Sequence, residues 1–554
     1  MANVDAFTNE EALNPTAQLF HAQRLNCYIV TIIGFKTKIN PNVIKAGLEH
    51  TLLKHPLFCS KIKVDEKEGR NMKWTRTTVK LENHVIVPNL DPDIKNPDQF
   101  VEDYVSNLTK NAMDMSQPLW ELHLLNIKTS DAEAVGVFRV HHSIGDGASL
   151  TSLLLACTRK TSDLEALPTF PIKKRAGPST YSSKLWLLLS FWSILRLICN
   201  TFVDFMLFVA TFFFLKDTQS PIKGAPRCDL TTKRFVYQIV SLDDIRLVKN
   251  VTNTTVNDVV LGVTQAGLSR YLDRRYAEDE KDGGARQNNN NILESIRLRA
   301  IVFANIRPTA GIQAMAEMMK KGSKDKWGNE IGFVIVPLTI ALHGDPLDYI
   351  ERAKAKMERK KLSLEARCTF PFSNYVLKTF GVKAMAEMMK KGSKDKWGNE
   401  IGFVMVPLTI ALHGDPLDYI ERANAKMERK KLSLEARCTF PFSNYVLIKT
   451  FGVKAAAALT HTVLTNTTVA FSNLVGPLEE ISLFGHPIAF LAPSAVTIHC
   501  QSYVNKMTII LAVDPNVVLD PHQLLDDLEE SLQLIKDAAL KRSSSKVLLP
   551  EKQD

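Results

Sequence analysis

Two stretches of this chain are almost the same sequence, and they limit how its C-terminal half can fold. Residues 314–377 and 384–447 are identical at all but two of 64 positions. Each copy carries a strand-like apolar run, IGFVIVPLTIAL or IGFVMVPLTIAL, so each needs a core to pack against. Solenoid repeats diverge further and need three or more units. We interpret the pair as a recent tandem duplication or an error in the gene prediction.

Length and composition indicate a globular protein of two domains. The chain has 554 residues, of which 45% are hydrophobic and 23% charged. Its net charge of +10 suits nucleic acid, an anionic membrane, or an anionic ligand such as a CoA phosphate. The basic residues are spread along the chain without interleaved aromatics, so we expect no nucleic-acid partner.

The cysteines and the N-terminus predict a reducing, cytosol-facing environment. None of the eight cysteines forms a C-x-x-C pair, which disfavours zinc and thioredoxin-like chemistry. The N-terminal segment is acidic and polar, with no positively charged start and no apolar run, so no secretory signal peptide is expected.

The pattern along the chain divides it into four parts. Residues 12–165 alternate strand and helix signals and form the predicted N-terminal lobe. Residues 166–228 are a linker that contains a long apolar segment. Residues 229–542, including the duplicated copies, form the predicted C-terminal lobe, and residues 543–554 are expected to be a loose tail.

The apolar segment, residues 185–215, raises the question of a membrane. Residues 197–215 are 19 long, about one span, although a buried core helix is the alternative. A complete span would separate the two lobes, and 31 residues are too few for two spans. We therefore predict a helix or shallow hairpin lying in the interface, with Lys184, Arg196 and Lys216 at the headgroups.

A histidine motif, HHSIGDG at residues 141–147, lies between a predicted strand over 134–142 and a predicted helix over 148–157. A neutral imidazole can take a proton from a hydroxyl during attack, which makes His142 a candidate general base. Asp146 would hold the imidazole or brace the loop through a basic partner. The alternative is a strand end with two surface histidines.

The same motif supplies the remaining members of the predicted site. His141 accompanies the base, and Gly145 and Gly147 permit a tight backbone and close approach of a substrate.

Four further segments occur in a fixed order along the chain. They are Pro118-Leu119-Trp120-Glu121, Asn257-Asp258-Val259-Val260, Asn305-Ile306-Arg307-Pro308 and Ser472-Asn473-Leu474-Val475-Gly476-Pro477. With the histidine motif, they resemble the plant wax ester synthase/diacylglycerol acyltransferase family, within the CoA-dependent acyltransferase superfamily. The resemblance runs from about Leu13 to Arg542.

The resemblance implies an α/β fold of two lobes with mixed sheets, similar to chloramphenicol acetyltransferase, with a tunnel between them. It implies that His142 is the base and that Asp146 is mainly structural. The reaction would transfer a fatty acyl group directly from acyl-CoA, without an acyl-enzyme. The acceptor would be a long-chain alcohol, giving a wax ester, or diacylglycerol, giving triacylglycerol. No metal and no bound cofactor are implied; acyl-CoA is a co-substrate.

The other motif residues have structural interpretations beside functional ones. Pro118, Leu119 and Trp120 are expected to pack and turn. Asn257 and Asp258 either cap and begin a helix, or line the acyl tunnel and polarise the thioester oxygen.

The later segments are expected to shape the fold around the site. Arg307 is expected to pair with Asp146 or another carboxylate. Gly476-Pro477, after Asn473, is expected to be a turn that lets the chain cross between lobes.

Two departures from the family pattern leave rival functions open. The duplication is one, and a shortened stretch over residues 491–499, on the acceptor side of relatives, is the other. A non-catalytic lipid-binding membrane paralogue is one rival; the apolar segment disfavours the other, an acyltransferase for a small soluble alcohol. The expected location is the cytosolic face of the endoplasmic reticulum membrane, with the plasma membrane as the alternative.

Overall fold

The computed structural model describes most of the two predicted lobes and parts of the remainder. The described residues are 10–13, 15–23, 25–65, 71–169, 195, 198–199, 202–203, 206–224, 232–281, 296–305, 329–337, 399–401, 405–408, 415–431 and 448–547.

Strands and helices alternate over most of these residues. The strands are β1 Glu10–Ala12, β2 Tyr28–Phe35, β3 Ser60–Asp65, β4 Asn71–Arg76, β5 Val85–Ile86, β6 Trp120–Leu125, β7 Ala134–His141, β8 Thr158–Lys160, β9 Arg234–Ser241, β10 Leu298–Asn305, β11 Asn329–Pro337, β12 Asn399–Ile401, β13 Met405–Leu408, β14 Val469–Leu474, β15 Ile481–Leu483, β16 His486–Ser494, β17 Ile498–Tyr503 and β18 Lys506–Val513. The helices are α1 Pro15–Leu19, α2 Pro41–His50, α3 Pro97–Leu108, α4 Gly147–Cys157, α5 Leu242–Thr252, α6 Val256–Lys281, α7 Leu417–Lys431, α8 Ile448–Asn466 and α9 Pro521–Val547.

The strands of the described residues form two large mixed sheets and a small one. The first large sheet has the order β5-β6-β7-β2-β16-β15-β8, and the second has the order β12-β11-β10-β14-β17-β18-β9, with β13 also pairing with β10. The small sheet is β1-β4-β3. The predicted mixed α/β fold is therefore confirmed.

The chain connects the two large sheets when it leaves the second sheet and adds two strands to the first. After β14 the chain leaves the second sheet, and β15 and β16 pair with β8 and β2 of the first. The turn between them contains Gly476, where a Cβ atom would lie 1.9 Å from the carbonyl oxygen of Ser502, so only glycine fits. Residues 481–494 follow the linker in sequence but lie in the first sheet. The division of the chain into two lobes at residues 166–228 therefore stays a prediction.

Apolar side chains fill the space on both sides of the second sheet. Helices α5, α6, α7 and α9 cover one face, with residues such as Leu268, Ile420 and Leu528 in one buried cluster. A second cluster lies between the large sheets and includes Val137 of β7 and Phe490 of β16. The contact between sheets is thus hydrophobic and fixes their relative position.

Helix boundaries follow their capping residues. Helix α9 begins at Pro521, where the Oδ1 atom of Asp520 accepts a hydrogen bond from the backbone N–H of Gln523 at 3.2 Å. The predicted tail from residue 543 begins too early. Helix α9 continues to Val547, and the Ser544 hydroxyl donates to the carbonyl of Leu540.

The apolar segment is described only in part. Residues 206–213 are helical, as are residues 195, 198–199 and 202–203. Within the described portion of the chain, no helix is both long enough and apolar enough to cross a membrane.

The two copies of the duplication share one position beside β10. Strand β11, from the first copy, pairs with β10 between Arg299 and Asn305, and β13, from the second, pairs with β10 over residues 298–301. The equivalent prolines Pro337 and Pro407 both lie opposite Arg299, so the two strands have the same register. A strand edge has one set of hydrogen-bonding groups on each side, and β14 occupies the other side of β10. The copies therefore compete for one edge.

The two copies differ at a position that is buried in a helix of the second copy. Helix α7 packs on α6, where Asn424 is 4% exposed and a Cβ atom on Gly262 would lie 2.8 Å from the Cα atom of Ile420. The first copy has Lys354 at the position of Asn424. An ammonium group at this buried position would lose its hydration, so the second copy suits the site better.

Deleting one copy tests this interpretation. Removal of residues 338–407 keeps Asn424, whereas removal of residues 378–447 leaves Lys354 in its place, and the two products differ at no other position. We expect the first deletion to fold at least as stably as the full chain. The second should be less stable than the first by about 2 kcal/mol, because it buries a charge. Thermal unfolding measures both, and equal melting temperatures for the two deletions would contradict the assignment.

Candidate active site

The histidine motif lies on a turn between a buried strand and a helix, as predicted. Strand β7 ends at His141, residues 142–146 form the turn, and helix α4 begins at Gly147. All eight residues of β7 pair with β2, and residues 135–140 also pair with β6. The strand is therefore held on both sides. The turn therefore has a rigid base.

The imidazole of His142 is held on its face and through its backbone. It stacks on the ring of Phe20, with ring centroids 4.3 Å apart, and its backbone N–H donates to the carbonyl of Cys27 at 3.0 Å. Burial lowers the pKa of His142 below 6.5, while a hydrogen bond to its own backbone and the charge of Asp146 act in the opposite direction. A lowered pKa favours the neutral imidazole at pH 7, which is the form that can accept a proton.

Asp146 is fully buried and caps helix α4. Its Oδ1 atom accepts a hydrogen bond of 2.7 Å from the backbone N–H of Ser149. The structural role expected for Asp146 is thus visible in the structure, and its charge also acts on His142. Its expected partner Arg307 lies outside the described residues.

His141 points into a separate polar cluster. Its Nδ1 atom is 2.7 Å from the Ser143 hydroxyl, its Nε2 atom is 2.9 Å from Oδ1 of Asn26, and its ring stacks on His21. Burial is the main cause that holds the pKa of His141 well below 6.5. These contacts orient the strand end and occupy both ring nitrogens, so His141 is a supporting residue.

The two glycines of the motif differ in their surroundings. A Cβ atom on Gly147 would lie 2.9 Å from the Cδ1 atom of Leu474, which belongs to the SNLVGP segment of β14. A Cβ atom on Gly145 would meet the Cβ of Ser149 at an ordinary 3.4 Å. Gly147 is therefore where motifs from the two halves of the chain meet.

An apolar cavity begins at this contact. Strand β2 contributes Ile29 and Ile33, helix α4 contributes Leu150 and Leu154, and residues from β14 to β17 close the other side. Gly147 also lines it, so the cavity lies directly beside the histidine motif. Its walls suit a hydrocarbon chain.

The Pro118-Leu119-Trp120 segment is structural, as expected. Leu119 and Trp120 are at most 1% exposed, and the Trp120 indole donates to the carbonyl of Phe58 at 3.0 Å. The ring of Trp120 also stacks on His84. This segment supports β6, the neighbour of β7.

Two segments predicted as separate motifs meet at the start of helix α6. The amide Nδ2 of Asn473 donates to Oδ1 of Asn257. Asp258 accepts hydrogen bonds from the backbone N–H and the hydroxyl of Thr255, at 2.8 and 2.5 Å, and its own N–H faces the Thr255 hydroxyl. This reciprocal arrangement is a capping box.

The capping box separates the roles of the pair. Asp258 is buried and engaged in the cap, whereas Asn257 is exposed. Because Asn473 occupies the Asn257 oxygen, the amide Nδ2 of Asn257 is left to donate, and no described residue accepts from it.

Sequence reasoning missed two residues of the site, Phe20 and Asn26. Both come from the short segment between α1 and β2, and both contact the histidine pair. Their distance of more than 100 residues from the motif left no local signal. No group of three or more His, Cys, Asp or Glu side chains suited to a metal occurs among the described residues.

Comparisons with known proteins agree with this geometry. The sequence description "Wax ester synthase/diacylglycerol acyltransferase catalytic domain" matches residues 44–260. The description "WS/DGAT C-terminal domain" matches residues 327–395 and 397–536. Both of these matches begin at the equivalent tryptophan of a copy, Trp327 and Trp397, so most of the duplication falls within that domain.

Relatives match along nearly the whole chain. Wax ester synthase/diacylglycerol acyltransferase 11 of Arabidopsis thaliana is 43% identical over 544 residues, covering 96% of each chain. Wax ester synthase/diacylglycerol acyltransferase 4 of the same plant is 43% identical over 560 residues, covering 98% of this chain and 92% of the relative. The structure of a wax ester synthase/diacylglycerol acyltransferase from Marinobacter aquaeolei VT8 superimposes with a TM-score of 0.50 at 15% identity, covering 95% of this chain and 99% of that one.

The two large sheets, the strand that crosses between them and the histidine turn define a two-lobed fold of the CoA-dependent acyltransferase type. The chain belongs to the wax ester synthase/diacylglycerol acyltransferase family. The resemblance carried by the five sequence motifs is thus confirmed.

Substitutions of Asp146 separate its charge from its cap. Asp146→Asn keeps an oxygen for the Ser149 N–H but removes the charge that raises the pKa of His142. The acidic limb of the pH profile of kcat/KM, which lies below pH 6.5 in the native protein, should therefore move to lower pH. Asp146→Ala should show the same movement and also lose about 1 kcal/mol of stability with the cap. An unchanged acidic limb in both variants would contradict the electrostatic coupling.

Proposed function

We propose that this protein is an acyl-CoA-dependent O-acyltransferase that forms wax esters from long-chain alcohols, triacylglycerol from diacylglycerol, or both. The observation that carries the proposal is the half-buried His142, whose pKa is lowered, on a turn whose Gly147 lines an apolar cavity. Its relatives are named wax ester synthase/diacylglycerol acyltransferases, which supports the same reaction.

The base and the cavity together suit transfer of an acyl chain. The Nδ1 atom of His142 is buried, so Nε2 is the nitrogen that takes the proton from the acceptor hydroxyl. The alcohol oxygen then forms a bond to the thioester carbonyl carbon, and the carbon–sulfur bond breaks. The protonated imidazole returns its proton to the CoA thiolate, so ester and free CoA leave without an acyl-enzyme.

Asn257 supplies the donor for the oxyanion. Its Nδ2 group is exposed and oriented by Asn473, and the start of helix α6 adds a partial positive charge. A donor fixed before the reaction stabilises the developing negative charge without reorganisation. Asp258 acts through the cap and not on the substrate.

The location that fits these substrates is the cytosolic face of the endoplasmic reticulum membrane, with the plasma membrane as the alternative. Long-chain alcohols and diacylglycerol partition into bilayers, so an enzyme that uses them gains access by binding there. Acyl-CoA is soluble and reaches the site from the aqueous side as a co-substrate.

Replacing His142 tests the reaction. Microsomes that contain the full chain or His142→Ala receive labelled palmitoyl-CoA with either hexadecanol or diacylglycerol. The full chain should place label in wax ester or triacylglycerol, and the variant should be slower by at least about 100-fold, since the general base is lost. Ranking of the two products identifies the acceptor. No product from well-expressed full chain or from the 338–407 deletion would favour a lipid-binding protein without activity.

A second substitution tests the oxyanion donor. Asn257→Ala should lower kcat by about 100-fold with a smaller change in KM, because the interaction strengthens in the transition state. Asn473→Ala, which frees the Asn257 side chain to rotate, should have a partial effect in the same direction. Equal kcat for Asn257→Ala and the native protein would rule out this role.

A further inference from the structure

Three polar side chains interrupt the apolar contact between the two large sheets. Strand β17 pairs with β18 so that His499 lies opposite Ile510. In the same pair of strands, Gln501 lies opposite Thr508. Ile510 belongs to the buried cluster between the sheets, and alternate residues of a strand share a face. His499, Gln501 and Thr508 therefore face the first sheet, and we call them the polar stripe.

The polar stripe begins at the cavity of the candidate active site. Gln501 lines that cavity, as do Gly147 and Leu474. His499 is two residues away along the same strand and Thr508 is on the neighbouring strand, so their Cα atoms lie about 7 and 5 Å from that of Gln501. The stripe thus extends from the cavity into the space between the sheets.

Two atoms of the stripe are buried without a protein partner. Among the described residues, none forms a hydrogen bond with Nε2 of His499 or with the hydroxyl of Thr508. His499 is 4% exposed and Thr508 is fully buried. Gln501 is already engaged, since its Nε2 donates to the carbonyl of Ser502 at 3.0 Å. Because buried polar groups nearly always have a partner, the two atoms point to a ligand that bonds to them.

The stripe suits a neutral polar group. Burial lowers the pKa of His499 to about 4, although a hydrogen bond with Gln501 raises it in part, so the imidazole is neutral at pH 7. No residue that lines the adjoining cavity is charged. A phosphate or carboxylate would lose its hydration there without a compensating charge. A carbonyl oxygen accepts hydrogen bonds from a hydroxyl and from an imidazole N–H, so an ester group surrounded by hydrocarbon matches both the stripe and the cavity walls.

The two acceptors of the proposed reaction differ in this group. A long-chain alcohol has one oxygen, and that oxygen reacts at His142. Diacylglycerol has its reacting hydroxyl and also two ester carbonyls. A site whose buried polar groups bond to a substrate discriminates against an analogue that lacks the matching group, because those polar groups are then left unpaired.

We propose that Thr508 and His499, the latter in its Nε2–H tautomer, donate hydrogen bonds to an ester carbonyl of the acceptor, so that this enzyme prefers diacylglycerol to a long-chain alcohol. The inference rests on the proposed acyltransferase function and names its acceptor. Neither residue touches the bonds that form and break, so both act by positioning and selecting the acceptor.

A pair of matched glycerolipids tests the role of the carbonyl. Microsomes from a host that makes no neutral lipid of its own contain the full-length protein and receive labelled palmitoyl-CoA. The acceptors are dioleoylglycerol and the dialkylglycerol that has ether links in place of the esters, so that the shape and the reacting hydroxyl are kept. The value of kcat/KM should be at least about tenfold higher for the diacyl acceptor. Equal values for the two glycerolipids would overturn the proposal.

Substitutions in the stripe should remove this difference. In Thr508→Val and in His499→Leu, the ratio of kcat/KM for the diacyl to the dialkyl acceptor should fall toward one. Thr508→Val should also keep or raise the melting temperature, because an apolar group of the same shape replaces an unpaired hydroxyl. A lower melting temperature with both acceptors slowed equally would show a purely structural role and overturn the proposal. Thr508→Val decides the question if His499→Leu does not fold.

Ser482→Ala is the matched control. The Ser482 hydroxyl is also buried and without a partner among the described residues. Its neighbour Leu483 lines the cavity, so Ser482 lies on the opposite face of strand β15. The control should leave the diacyl-to-dialkyl ratio at its native value. A fall as large as that in Thr508→Val would show that the effect is not specific to the stripe and would overturn the assignment.

The products separate this inference from the proposed function. With hexadecanol as a third acceptor, wax ester without triacylglycerol would overturn the preference for diacylglycerol and leave the acyltransferase function standing. A KM for palmitoyl-CoA that rises in Thr508→Val, with every acceptor slowed alike, would assign the stripe to CoA and overturn its role in acceptor choice. Neither product from well-expressed protein would overturn the acyltransferase function and this inference with it.

Discussion

The site depends on the pairing of β16 with β2. Strand β16 belongs to the C-terminal half of the chain, yet it extends the first sheet on the side opposite β7. The segment that leads to it brings Leu474 against Gly147, at the start of helix α4. Because backbone hydrogen bonds hold neighbouring strands about 5 Å apart, this one crossing fixes the two halves around the histidine turn. Contacts between residues so distant in sequence form late in folding, since the loop must close first.

The histidine turn could be predicted from sequence because its residues are close together in the chain, whereas contacts between distant residues could not. Within 14 residues, the apolar run before His142 predicts a strand, the glycines predict a turn, and Asp146 predicts a helix cap. By contrast, the contact of Asn473 with Asn257 spans 216 residues, and Arg299 reaches its partner Asp217 across 82. No periodicity encodes such pairs, because they depend on how whole sheets pack. The known motifs indicated which residues belong to the candidate site, but they did not indicate which of these residues contact one another.

The duplication shows what a repeated strand does to a fold that has one edge for it. Register is normally specified by which residues face the core, and a slip is opposed because it turns apolar side chains outward. Two copies with the same pattern remove that opposition, so β11 and β13 align identically on β10. Discrimination must then come from a position where the copies differ. Asn424 supplies it, because helix α7 buries this residue.

The burial that lowers the pKa of His142 also bears on which nucleophile the proposed reaction would use. An imidazole whose pKa is lowered is a weaker base, but less of it is protonated at neutral pH, and the charge of Asp146 acts in the opposite direction. In the proposed reaction, the same apolar surroundings, with Phe20 on one face and the cavity beside Gly147, would keep water from the thioester. This would disfavour hydrolysis over transfer to an alcohol. The proposed acceptors, a long-chain alcohol or diacylglycerol, are largely hydrocarbon and therefore suit the apolar walls of this cavity.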